Sequence, residues 1–227
     1  MNIPIYVINF NDEERRNSMI KRFETIGLKL RFTPPVYKTD PRLNIDIDDN
    51  RVEKRTWSIQ LQHLDSIRDF YENTNQDYCI VCEDDILISK NFNKDMEQII
   101  ENFNKLELDI LLLGYLLPFK LQNDYFKLKK TIGYTINEYP DDLWGSQMYL
   151  ITRKYAKFLL DKYTIEFAVK NLDLPYSPDW TITKNGNRAL LYPMIALEEG
   201  STKTDHIGQN NFHRNCFLSN YDKDIFI

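Results

Sequence analysis

The chain opens on a run from Ile3 to Phe10 that is apolar at every position but Asn9, and such a run reads as a strand buried on both faces. A charged stretch begins at Asn11. Within it Met19, Ile20, Phe23 and Ile26 return at helical spacing, and Gly27 stands where a helix C-cap belongs. Residues 33–50, with Pro34, Pro35 and Pro41, read as a long loop with room for one short strand. From Trp57 onward the helical period returns in Trp57, Leu61, Leu64, Ile67 and Tyr71. A second buried strand over 77–82 runs directly into Glu83-Asp84-Asp85. Ser89 and Asn91 can cap the next helix, which carries Phe92, Met96, Ile99, Ile100 and Phe103, and Asp109 to Gly114 reads as a third strand.

Strand, helix, strand, helix, strand at these lengths predicts an α/β fold: a mostly parallel central sheet flanked by helices. Residues 115–142 lose the regularity and read as a hairpin or a mobile flap. A strand over 148–151 then leads to Thr152, an N-cap for a helix bearing Tyr155, Phe158 and Leu159. Helical material near 164–171, a turn at 175–178, a helix from Asp179 and a strand over 189–192 follow, and beyond Gly200 the chain reads as polar and irregular. At 227 residues one core suffices, so a single domain is expected.

Composition narrows the function. Hydrophobic residues at 42% and charged residues at 28% are ordinary globular usage. A net charge of −5, with no block of like charges, offers no basic stripe to a phosphate-dense polymer, so nucleic acid is not an expected partner. No apolar run spans a bilayer and the N-terminus lacks a secretory pattern. The expectation is a soluble protein of the cytoplasm, including that of an infected host cell if the gene is viral. Cys79, Cys82 and Cys216 are an odd count, and strand alternation sends Cys79 and Cys82 to opposite faces, which argues against a redox or zinc C-x-x-C.

Glu83-Asp84-Asp85 is the segment with the clearest chemistry. In open parallel sheets ligands bind at the carboxyl ends of strands. Three adjacent carboxylates repel one another unless a cation or hydrogen-bond donors compensate, and hard divalent ions prefer oxygen ligands. This DXD-like triplet is therefore a candidate Mn²⁺ or Mg²⁺ site, set against the alternative of a solvated acidic turn.

Several landmarks fall in one order: Ile8-Asn9-Phe10 with Arg15, Arg16 and Met19; Trp57 to His63; Val81-Cys82-Glu83-Asp84-Asp85; Asp109 to Gly114; Gly145 to Ile151 with Ala156, Leu159 and Leu160; Pro178-Asp179-Trp180; and Tyr192-Pro193. In this the sequence resembles the family 25 glycosyltransferases, which include bacterial lipooligosaccharide sugar transferases and collagen hydroxylysine galactosyltransferases. It departs from the family pattern at Arg55 and Ser58, where glycine is favoured, at Gln62, where serine is, and near Met148, where alanine is.

The resemblance implies a GT-A fold over residues 1–227. A nucleotide-binding part would span about 1–114 and an acceptor-side part about 115–227. It also implies a UDP-sugar donor, a Mn²⁺ (or Mg²⁺) ion bridging the diphosphate to the acidic motif, inversion at the anomeric carbon, and a glycan or other hydroxyl-bearing acceptor. On that footing Asp85 is the direct metal ligand, Glu83 contacts metal water or ribose, and His206 resembles the C-terminal histidine of many GT-A enzymes, with His213 as the second choice. Asn9, Phe10, Arg15, Arg16, His63 and Asp84 are the expected donor contacts. Asp179 is the candidate general base, with Asp142 and Asp205 next. Trp144 and Tyr149 are candidate sugar-stacking rings. Two rival readings share these residues: a metal-dependent phosphohydrolase, and a UDP- or sugar-binding domain without turnover.

Overall fold

The computed structural model describes residues 3–45, 51–119, 128–130, 134–140, 143–200 and 207–227. In chain order the first half holds β1 (Ile5–Ile8), α1 (Glu13–Glu24), β2 (Leu30–Thr33), a 3-10 turn (Pro41–Leu43), α2 (Lys54–Asn73), β3 (Tyr78–Glu83), β4 (Ile86–Ile88), α3 (Phe92–Lys105) and β5 (Ile110–Gly114). The second half adds β6 (Leu128–Lys130), β7 (Thr135–Glu138), β8 (Met148–Thr152), α4 (Arg153–Lys162), α5 (Ile165–Lys170), α6 (Pro178–Thr181), β9 (Arg188–Tyr192), β10 (Ala196–Glu198) and α7 (Ile207–Asn220).

The main sheet has the order β2-β1-β3-β8-β5-β9-β7-β6, and β10 pairs with β4 in a separate two-stranded sheet. All main-sheet strands except β7 and β8 run one way, because β1 is parallel to β2 and β3, and β5 is parallel to β9. The insertion of β8 between β3 and β5, antiparallel to both, departs from a simple alternating βαβ layout. Its consequence is local. The carboxyl ends of β3 and β5 meet the amino end of β8, with Cys82 and Gly114 both opposite Met148.

Strand alternation splits the core between the two faces of the sheet. Ile5, Val7, Ile80 and Cys82 pack with Met19 and Phe23 of α1 and Met96, Ile99 and Phe103 of α3. Tyr6, Ile8, Cys79 and Val81 pack with Leu61, Ile67 and Phe70 of α2 and Leu159 of α4. Cys79 and Cys82 thus belong to opposite faces, and all three cysteines are free and buried. Helix α2 buries polar groups as well. Gln62 Nε2 donates to the carbonyls of Asn9 at 3.0 Å and Thr33 at 3.2 Å, fixing the chain where it leaves β1 and β2.

Thr152 caps α4 as expected, its side chain accepting from the Tyr155 amide. The region after Gly200 differs from the sequence expectation: α7 is a helix of 14 residues, and Cys216 is its buried residue. A helix with so little apolar face shows no amphipathic period, which is why the pattern is silent there. The chain then returns to β4, where Ile227 N–H donates to the Ile88 carbonyl at 3.0 Å. No described helix is long and apolar enough to cross a membrane.

Candidate active site

The site begins where β1 and β3 end side by side, with Ile8 opposite Glu83 in parallel register. Beyond that line Asn9 is buried, and its Nδ2 donates to Asp84 Oδ2 at 2.6 Å and to the Asp12 carbonyl at 3.0 Å. Asp12 caps α1 by accepting from the Arg15 amide at 3.1 Å, and this sets Arg15 on the first turn, pointing back at the triplet. The Arg15 guanidinium lies 2.9 Å from Asp84 Oδ1 and 3.1 Å from Asp85 Oδ2.

The three carboxylates therefore have different duties. Asp84 is clamped by Asn9 and Arg15. Asp85 is only 6% exposed, and its second oxygen, Oδ1, has no hydrogen-bond partner. Burial, then the neighbouring Glu198 carboxylate, push the Asp85 acid up from its ordinary 3.8 to about 7 in spite of Arg15. Glu83 is also held well above the usual carboxylate range, first by burial and then by Asp85, Glu198, Asp179 and Asp84.

The short β10–β4 ladder brings two further acids to this place. Glu198 pairs in register with Ile86, and the Glu199 amide donates to the Asp85 carbonyl at 2.9 Å. Glu199 is tied to Arg22. Glu198 is buried and meets His213 of α7, whose Nδ1 lies 2.7 and 2.8 Å from the two carboxylate oxygens. Against the downward pull of burial, Glu198 raises the imidazole's affinity for a proton. Gly200 (φ +70°) makes this approach possible, since a Cβ there would lie 2.5 Å from the Phe217 Cβ on the same helix.

Asp179 closes the far side. Its carboxylate accepts from the Ser146 hydroxyl and the Gly145 amide instead of capping α6, and burial raises it above the ordinary range. Gly145 has φ +144°, and a Cβ there would collide with Gln147 Oε1 and lie 3.2 Å from the Leu116 amide nitrogen, so the position favours glycine. Asp179 and Glu198 both lie within electrostatic reach of Glu83 on one side and of His213 on the other. Among the described residues no group of three His, Cys, Asp or Glu side chains is gathered closely enough to hold a metal ion unaided.

The expected donor contacts divide into two sets. Asn9, Arg15 and Asp84 converge on the triplet. Phe10, 52% exposed, stands beside it with its ring edge-on to Tyr37 at 4.9 Å. Arg16 instead stacks over Phe32, 4.1 Å from the ring centroid. His63 is fully buried in α2, with Nδ1 2.8 Å from the Tyr149 hydroxyl, so both of these rings lie inside the core. Asp142, Asp205 and His206 fall outside the described residues. Glu198 and Ser146 are additions that sequence reasoning missed. Glu198 sits on a three-residue strand with no pattern to mark it, and Ser146 gains its meaning only from the approach of α6.

Residues 71–172 match glycosyltransferase family 25, described as LPS biosynthesis proteins. That stretch is a little under half of the chain, and the match supports the family resemblance and a glycosyltransferase activity. An enzyme of that family takes a sugar donor and an acceptor. The matched stretch carries β3, the triplet, β5 and β8, whereas Asp179, Glu198 and His213 lie beyond it. No curated protein matches the chain. Among solved structures, A197 from STIV is similar over 87% of this chain and 85% of its own, at 14% identity and a TM-score of 0.45.

Proposed function

We propose that this chain is a family 25 glycosyltransferase that moves a sugar from a UDP-sugar to a hydroxyl group with inversion, using a Mn²⁺ or Mg²⁺ ion at the acidic motif. The observation that carries the reading is Asp85: a buried carboxylate just beyond β3, met by Arg15 on one oxygen, flanked by the acids Asp84 and Glu198, and with its other oxygen unbonded. A buried acid whose charge one arginine compensates only in part costs stability, and a cation relieves that cost. The side chains suited to holding the ion are Asp85 and Glu83, with His213 the histidine nearest to them among the described residues. Hard ions in nucleotide sites take one or two carboxylates and complete their shell with phosphate oxygens and water, so a ready-made three-ligand cage is not required. Such an ion supplies charge stabilisation to the diphosphate as the glycosidic bond breaks.

The protein's own residues do the rest. Arg15 adds a second positive charge beside the diphosphate position. Asn9 holds Asp84, which orients Arg15. Phe10 and Tyr37 offer an exposed aromatic face for the nucleobase next to the end of β1. Asp179 is the general base: burial lifts its proton affinity, and Ser146 and Gly145 fix the direction in which it accepts the acceptor hydroxyl's proton. In this reading the donor is held mainly by residues 1–114, while 115–227 supply the acceptor side, with Glu198 and His213 reaching across to the donor.

The test is a screen of nucleotide sugars with Mn²⁺, with Mg²⁺ and with EDTA, following UDP and free sugar separately. Release of both from one UDP-sugar, lost in EDTA, supports the proposal. Inorganic phosphate released without sugar would favour a phosphohydrolase, and UDP binding without any turnover would favour a binding domain.

A further inference from the structure

The chain has three tryptophans, and they are treated very differently by the fold. Trp57 is buried edge-on against Tyr176, and Trp180 is half-buried against Tyr163. Trp144 is 48% exposed. An exposed indole gives up the burial that makes tryptophan favourable in a core, so its place needs a reason.

Its surroundings supply one. The described residues on either side of it are held in place: Lys184 donates to the carbonyls of Pro140 and Leu143, and the Tyr139 hydroxyl donates to the Leu143 carbonyl at 2.9 Å. The same Lys184 ammonium stands 5.2 Å from the Trp144 ring centroid and attracts the Asp179 carboxylate. The next two residues, Gly145 and Ser146, are the donors that hold Asp179. A half-exposed aromatic ring, with the Lys184 ammonium over it, therefore sits one residue away from the group that orients the general base.

We propose that Trp144 is the acceptor platform, and that the acceptor is a glycan whose pyranose ring lies on the indole while one hydroxyl faces Asp179. Pyranose rings carry a face of C–H groups that packs on an aromatic surface, and their rims of hydroxyls suit the Lys184 ammonium and the Asp179 carboxylate it attracts. A hydroxyl-bearing peptide side chain has no such face, and would leave the indole uncovered. The chemistry is ordinary transfer: the acceptor oxygen bonds to the anomeric carbon, the bond from that carbon to the diphosphate breaks, and the acceptor's proton passes to Asp179.

This inference rests on the donor reading above, and the experiment separates the two. Wild-type protein, Trp144→Phe and Trp144→Ala are titrated by calorimetry with lactose and with the methyl glycosides of glucose, galactose and N-acetylglucosamine. The same sugars are then assayed as acceptors, beside a serine-containing peptide. The expected result is binding and transfer to at least one glycoside. In Trp144→Ala the acceptor KM should rise about tenfold or more, the scale of a lost stacking contact, with the donor KM moved less than about twofold; Trp144→Phe should restore most of the loss. The inference is overturned if no glycoside binds the wild type, if the acceptor KM is indifferent to Trp144, or if the peptide alone accepts the sugar. Glycoside binding that depends on Trp144, in a protein that turns over no nucleotide sugar, would sustain the platform and defeat the donor reading alone.

Discussion

Replacing Asp85 with asparagine should stabilise the metal-free protein while abolishing its donor site. In the folded chain Asp85 is lifted from its ordinary 3.8 to about 7, chiefly by burial and then by Glu198. A carboxylic acid raised in this way contributes no penalty below its unfolded value. As pH rises the unfolded chain ionises first, and the penalty grows until the folded group has ionised too, near pH 7. At about 1.4 kcal/mol per pH unit, the cost to the fold is about 4 kcal/mol at pH 8 and about 2 kcal/mol at pH 5. The amide stands in for the protonated acid, and the attraction of Arg15 is already contained in the shifted value. Asp85→Asn should therefore gain about 3–4 kcal/mol at pH 8, about 1–2 kcal/mol at pH 5, and roughly 6–16 °C in Tm at the higher pH. The assay is urea unfolding in EDTA at both pH values, with the two proteins side by side. A variant that is no more stable than wild type at pH 8, or whose gain is the same at both pH values, would refute the reasoning.

Two further outcomes separate chemistry from scaffold. Asp179→Asn keeps the shape of the group that Ser146 and Gly145 hold but removes its basicity; transfer should fall by about 10²–10⁴-fold while UDP affinity stays within about twofold, read by single-turnover kinetics and calorimetry. Tyr149→Phe removes the hydroxyl that meets His63 in the core; urea unfolding should show a loss of about 1–3 kcal/mol, with the UDP affinity of the folded protein unchanged.

The parts of the fold that were legible in the sequence are those whose burial imposes a period. β1, β3 and β5 are uninterrupted apolar runs, and α2 and α3 carry clean helical stripes, so the central layer and its covering helices could be read directly. The antiparallel insertion of β8 was not legible, because an apolar strand gives no sign of its direction. The strands β4 and β10 are three residues each, too short for alternation to register, yet they deliver Glu198 to the site. Helix α7 shows no amphipathic stripe, and without its placement His213 has no partner in view. The triplet was legible because it follows a buried strand. The division of labour within it was not, since it depends on Asn9 and Arg15, 75 and 69 residues away in sequence from the Asp84 they hold.

The central claim, that the acidic motif binds a nucleotide diphosphate through a divalent ion, is tested most directly by calorimetric titration of UDP into wild-type protein and Asp85→Ala, each with Mn²⁺ and with EDTA. The account predicts binding to the wild type in Mn²⁺ and none in the other three titrations. Binding that is indifferent to both the ion and Asp85, or no binding under any of the four conditions, would contradict it.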